Sequence, residues 1–239
     1  RADGIVAVSS GVADDLSQVA GIPRDRIHTI YNPVVRSGLT QLRLEEPDHP
    51  WLVADAPPVI LGAGKLKPQK DLSTLVRAFA KVRRSRPARL IVLGEGPQMT
   101  LLRRLSNDLG VSGDVDFSGF VENPHAYMAR ARVFVLSSAW EGFGNVLVEA
   151  MAAGCPVVSM DCPSGPSEIL EDGKYGPLVP VGDHHKLSEA IISTLDAPLQ
   201  GEELKQRAAV FSDWSAARRY ADVFRSSSAD PSRGEIGTT

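Results

Sequence analysis

The sequence predicts an α/β fold built on a doubly wound, mostly parallel sheet. Short runs of aliphatic and β-branched residues, V-I-L-G-A at 59–63 and R-L-I-V-L at 89–93 among them, suit strands buried on both faces. Each run is followed by a turn rich in glycine and then by a segment with helical periodicity, an alternation that calls for a layered sheet with helices on it. No internal repeat is visible.

Taken in order, residues 4–9 are a short apolar strand, and Ser10 caps a helix reaching to about Ala20. Gly21 to Pro23 ends that helix, and 27–31 is a second strand, closed by Asn32-Pro33. Residues 36–57 turn polar and proline-rich, an irregular connector with Trp51 as its anchor. Strand 59–63 then leads through a loop at 64–70 into an amphipathic helix capped by Asp71 or Ser73, with Leu72, Leu75, Val76, Phe79 and Val82 inward. Its basic end, Lys81, Arg83, Arg84 and Arg86, complements the helix dipole, with an anionic surface as the alternative use. Strand 89–93 turns at Gly94-Glu95-Gly96-Pro97 into a helix running to Gly110.

Strand 114–118 and a short helix at 124–131 follow, then the apolar run 131–136 and the strand 156–159. In 164–169, Pro166 occupies a first helical position and Glu168 one from which it reaches back to cap. Residues 175–181 end the sheet. A helix at 184–195 carries Leu187, Ala190, Ile191 and Thr194 on one face, helices at 202–211 and 213–225 close the chain, and 226–239 is polar enough to be expected disordered.

Composition narrows the function classes. With 239 residues, of which 43% are hydrophobic, the chain can bury a sizeable core. A net charge of −3 with acids and bases interspersed gives no footprint for nucleic acid. Cys155 and Cys162, the two cysteines, suggest neither a disulfide framework nor a metal knuckle, and His184-His185 lack a second ligand pair. No apolar run approaches the roughly 20 residues that span a bilayer. The expected compartment is a reducing cytoplasm, with peripheral membrane contact left open.

The chemistry concentrates at 137–154, S-S-A-W-E-G-F-G-N-V-L-V-E-A-M-A-A-G. After a buried strand, Gly142 and Gly144 allow a sharp turn, and Asn145 caps a helix that continues to Gly154. The helix start offers unpaired N–H groups and a dipole end, a cradle for phosphate formed by Gly144, Asn145 and Val146 beside Phe143. Glu149, one turn further on, can accept from a pair of hydroxyls such as those of a ribose. Taken singly, Glu141 and Glu149 are also ordinary surface acids.

Glu-x7-Glu with Gly-Phe-Gly-Asn between the acids resembles the signature of retaining glycosyltransferases of the GT-B fold, family four. A second stretch, G-A-G-K-L-K-P-Q-K-D at 62–71, is similar to that family's diphosphate loop, in which two cations follow the first strand of the C-terminal domain. The family more often has Arg where this chain has Lys65, so the charge is kept while a fork becomes a point charge. V-A-V-S-S-G-V-A-D-D-L at 6–16 is similar to the last strand and helix of the family's N-terminal domain, and strand 27–31 to the bridge out of it. C-P-S-G-P-S-E-I-L at 162–170 is similar to a subset of the family, and spacing assigns it no chemistry.

The resemblance implies transfer of a hexosyl or N-acetylhexosaminyl group from a nucleotide-diphosphate donor, a UDP-sugar, to a glycan or lipid-linked acceptor in polysaccharide biosynthesis. It casts Glu141, Lys65 and Lys70 as catalytic, and Gly64, Gly94, Phe120, Val121, Phe143, Gly144, Asn145, Val146 and Glu149 as the nucleotide-sugar site. Phe120 has a core role as its alternative. No metal and no cofactor beyond the nucleotide-sugar is expected. The family's enzymes place the active site between two Rossmann-like domains. This chain is expected to carry the tail of the first and the bridging strand at 1–35, the connector at 36–57 and the donor-binding domain at 58–225, lacking most of the N-terminal half and inactive alone. Two other classes stay open: a non-catalytic nucleotide-binding or interaction module, and a receiver-type regulator, which the scarcity of acids at the strand ends disfavours.

Overall fold

The computed structural model describes residues 4–228, so the tail expected to be disordered lies largely outside the described residues. A small unit comes first: β1 (Ile5–Ala7), α1 (Ser10–Ala20) and β2 (Ile27–Thr29), the two strands pairing in parallel. The cap of α1 is Ser9, one residue before the expected Ser10, because its extended backbone lets the hydroxyl accept from Val12 N–H. The connector holds a short helix, α2 (Leu39–Leu42), which its polar composition hid. Trp51 is partly buried against the core, with the Arg89 guanidinium 4.8 Å from its ring centroid.

The main body is a six-stranded parallel sheet in the order β5-β4-β3-β6-β7-β8. Its strands are β3 (Val59–Ala63), β4 (Arg89–Leu93), β5 (Val115–Gly119), β6 (Val133–Leu136), β7 (Val157–Met160) and β8 (Leu178–Val179). Alternate residues feed two cores, as a sheet covered on both faces requires. Ile60, Leu90, Val92, Val133 and Val135 pack with α3 (Leu72–Ser85), α4 (Met99–Asp108) and α8 (His184–Asp196). Leu61, Ile91, Leu93, Phe134 and Leu136 face α5 (Pro124–Met128), α6 (Asn145–Ala152), α7 (Pro166–Leu170) and α9 (Gly201–Ala208).

Asp71 rather than Ser73 caps α3, accepting from Thr74 N–H and Thr74 Oγ1 while its own backbone is left-handed at φ 38°. The last helix, α10 (Asp213–Ser228), leaves Trp214 and Phe224 largely exposed. Among the described residues no helix is long and apolar enough to cross a membrane.

Candidate functional site

Strand order reverses between β3 and β6, since the chain leaves β3 toward β4 and β5 and returns to start β6 on the other side. The connections diverge there and open a crevice at the carboxyl edge, where open parallel sheets take ligands. The loop after β3 and the turn after β6 form its walls and are tied together. Ala139 N–H donates to the Gln69 carbonyl at 2.8 Å, the Gln69 side-chain amide to the Trp140 carbonyl at 2.9 Å, and Ser137 Oγ to the Lys70 carbonyl at 2.7 Å.

Across this join Lys70 Nζ lies 2.5 Å from Glu141 Oε1, and Ser138 Oγ donates to the same oxygen at 2.6 Å. The two side chains are only 17% and 9% exposed. Such a desolvated pair is self-compensating, and removing either partner leaves the other charge stranded. Lys65, from the same loop, is exposed and has no ion-pair partner among the described residues.

The turn itself passes through Gly144 at φ 98°, which is the cap position of α6. Asn145 is therefore not the cap: it is the first helical residue, and its side-chain oxygen accepts from Asn32 Nδ2 at 2.8 Å. Glycine wins the cap position because the chain must be left-handed there, a conformation costly for a residue with a Cβ. Lys70, Glu141, Glu149 and residues 142–146 line a cleft of about 380 Å³ together with Val8 and Asn32. Glu149 is partly buried, and its side chain makes no hydrogen bond or ion pair among the described residues. Burial without a partner pushes its carboxyl above the usual glutamate range.

A second cleft, of about 410 Å³, adjoins through the 64–70 loop and is walled by the turns after β3, β4 and β5. Gly64, Lys65, Gly94, Phe120 and Val121 meet here. Gly94 is required by close approach, for a Cβ on it would stand 2.1 Å from the Gly64 carbonyl oxygen. Phe120 is 75% exposed, so the core alternative fails and the ring is free to stack. All the residues expected at the site thus lie along one edge of the sheet, in two clefts rather than one.

Sequence reasoning missed the contacts that residues 8–42 make with the site. Ser9 Oγ donates to the Gly142 carbonyl at 2.7 Å, and Tyr31 stacks on Phe143 with ring centroids 5.3 Å apart. Residues between Pro33 and Leu42, with His125 of α5, line an open groove of about 590 Å³ that shares Asn145 and Glu149 with the first cleft. His125 borders this groove with a buried Nδ1 that has no hydrogen-bond partner among the described residues, and burial holds its pKa below the usual histidine value. Among the described residues no group of three or more His, Cys, Asp or Glu is placed to hold a metal ion.

A family model, glycosyl transferases group 1, matches residues 45–210. The chain belongs to this family. It is 32% identical over 196 residues to the N-acetylgalactosamine-N,N'-diacetylbacillosaminyl-diphospho-undecaprenol 4-alpha-N-acetylgalactosaminyltransferase of Campylobacter jejuni, covering 82% of this chain and 52% of that protein. Among solved structures it resembles the apo lipopolysaccharide outer core galactosyltransferase WaaB, at 26% identity and a TM-score of 0.79 over 94% of this chain and 62% of that one. It shares its fold with Anabaena Alr3699/HepE, solved in complex with UDP and glucose, at 23% identity and a TM-score of 0.78 over 96% of this chain and 64% of that one. The chain spans about half the length of the first curated relatives it matches. The fold is that of one Rossmann-like half of a GT-B glycosyltransferase.

Proposed function

We propose that this chain is the donor-binding half of a retaining glycosyltransferase that moves a hexosyl or N-acetylhexosaminyl group from a UDP-sugar to a glycan or lipid-linked acceptor. The observation that carries the reading is the convergence at the switch point of the Lys70–Glu141 pair, the open start of α6 and the unpaired Glu149. The diphosphate lies between the 64–70 loop and the first turn of α6, the ribose hydroxyls on Glu149, and the base against Phe120 and the Val121 backbone. UDP in the Alr3699/HepE complex and the diphospho-undecaprenol acceptor in the name of the Campylobacter relative support the donor and acceptor classes.

The chemistry is a leaving-group problem. As the glycosidic C–O bond breaks, negative charge grows on the β-phosphate, where Lys65, Lys70 and the α6 N–H groups oppose it. Lys70 exchanges its contact with Glu141 for the phosphate, which frees Glu141 to accept from donor-sugar hydroxyls. The departing phosphate oxygen takes the acceptor's proton. Residues 4–35 and the connector at 36–57 join this half to an acceptor-side half, which supplies the facing wall. Peripheral contact with the membrane follows where the acceptor is lipid-linked. Without that wall the chain binds donor and does not transfer it.

Calorimetric titration of the chain with UDP, GDP and ADP tests the reading. Binding of UDP in preference to the others, lost on combining Lys65→Ala with Lys70→Ala, is expected. Binding that ignores both lysines overturns the phosphate assignment.

A further inference from the structure

The motif C-P-S-G-P-S-E-I-L acquires a role once Glu168 is placed. The side chain of Glu168 does not reach back to its own helix, as its position suggested. Its carboxylate crosses to the start of α1, where Oε2 accepts from Ser10 N–H at 2.8 Å and Oε1 from Gly11 N–H at 3.2 Å. These are two of the N–H groups that a helix leaves without an internal partner, and a carboxylate there also meets the positive end of the helix dipole. Gly11 permits the approach, since a Cβ on it would lie 2.6 Å from Ser164 Oγ. Arg207 fixes α7 from behind, donating to the Glu168 and Ile169 carbonyls at 2.5 and 2.8 Å.

The start of α1 is also where the unit formed by residues 4–35 meets the turn after β6. Ser9, its cap, holds the Gly142 carbonyl, Tyr31 stacks on Phe143, and Asn32 donates to Asn145. From the other side Gly165, the residue before α7, presses on the same turn, with room for no side chain between it and the Phe143 carbonyl. The turn at 142–145 is therefore clamped between α1 and α7, and Glu168 joins the two jaws.

We propose that Glu168 is a positioning residue for the donor site: by taking the first N–H groups of α1 it sets Ser9, and through Ser9 the Gly142 carbonyl and the N–H groups that follow it. The proposal rests on the donor-site reading above. Glu168 does not line the cleft and acts through the unit formed by residues 4–35, at the start of α1 and beside the Tyr31 hydroxyl. A relay of this kind makes the Ser9 and Glu168 contributions to donor affinity one contribution, because either loss releases the same jaw.

The test measures UDP affinity by calorimetry, the backbone amide shifts of residues 142–146 in the ligand-free protein, and the thermal midpoint. It compares wild type with Ser9→Ala, Ser9→Thr, Glu168→Gln and the Ser9→Ala/Glu168→Gln pair. Glu171→Gln, an acid paired with Arg207 and Lys174 away from α1, serves as the control. Ser9→Ala and Glu168→Gln are each expected to weaken UDP binding about tenfold, in line with the loss of a charge-assisted hydrogen bond at a helix start. The pair is expected to be no worse than the weaker single variant, both variants move the same amides, and Ser9→Thr retains affinity. Unchanged affinity in both variants, additive losses, or losses matched by the control at equal midpoint shifts would overturn the relay. Failure of the wild type to bind UDP would instead overturn the donor-site reading, while the amide shifts in the ligand-free variants still decide whether Glu168 sets the turn.

Discussion

Replacing Glu149 by Gln separates recognition from stability. The carboxylate is partly buried, has no partner among the described residues and is pushed up in pKa by desolvation alone. Its ionised form is therefore carried at a cost in the free protein, one that two ribose hydroxyls would offset. Glutamine keeps the shape and one acceptor oxygen but gives up the charge. The expected loss is that of a hydrogen bond to a charged group, about 1.5–3 kcal/mol, or roughly ten- to a hundredfold in Kd. Stability moves the other way. A carboxyl whose folded pKa is raised binds protons more tightly when folded, so it costs stability as pH rises from the ordinary glutamate range through its folded value. At neutral pH the variant should melt at the wild-type temperature or above it.

Donor affinity has the opposite pH dependence, since it requires the ionised form and falls as pH drops through the raised pKa. Calorimetry with a UDP-sugar between about pH 5 and 8 reads both effects; UDP itself is less suitable because a terminal phosphate titrates near pH 6. A flat pH profile in Glu149→Gln beside a sloping one in wild type is expected. Equal affinity of wild type for UDP and its 2′,3′-dideoxy analogue would refute the ribose role.

Two further substitutions probe the scaffold that holds the site. Gly165→Ala places a Cβ 1.8 Å from the Phe143 carbonyl oxygen at a backbone φ of 103°, so it should cost about 3 kcal/mol or more in urea unfolding, and a wild-type midpoint would contradict the packing described. Asp71→Ala removes the α3 cap and leaves a side chain without Asp's local hydrogen bonds at φ 38°, with an expected loss of about 1–2 kcal/mol by the same measurement, whereas Asp71→Asn, which tolerates the left-handed backbone and still caps, should lose much less.

Strands 59–63 and 89–93 were legible to the residue, because the part of a strand buried on both faces is apolar and a glycine turn follows each at its carboxyl end. The inward face of α3 was legible for a related reason, since its burial follows a 3.6-residue period. What sequence pattern could not supply were contacts between distant segments. Ser9 meets Gly142 across 133 positions, and Glu168 meets Ser10 across 158. A capping-type glutamate looks the same in sequence whether it serves its own helix or another. The fate of Phe120 was equally hidden, since an aromatic residue at a strand end is as compatible with a core as with a cleft.

The Asn145 cap failed by one residue because the left-handed turn favours glycine over a capping side chain. α2 escaped notice because a single helical turn in a polar connector has no periodic signal.

Occupancy of the switch-point crevice by a nucleoside diphosphate is read residue by residue in a backbone amide titration of the chain with UDP. Saturable shifts are expected, confined to the 64–70 loop, Gly94, Phe120 and Val121, and residues 141–149, with the largest at the start of α6. No saturable shift, or shifts centred on the opposite edge of the sheet, would contradict it.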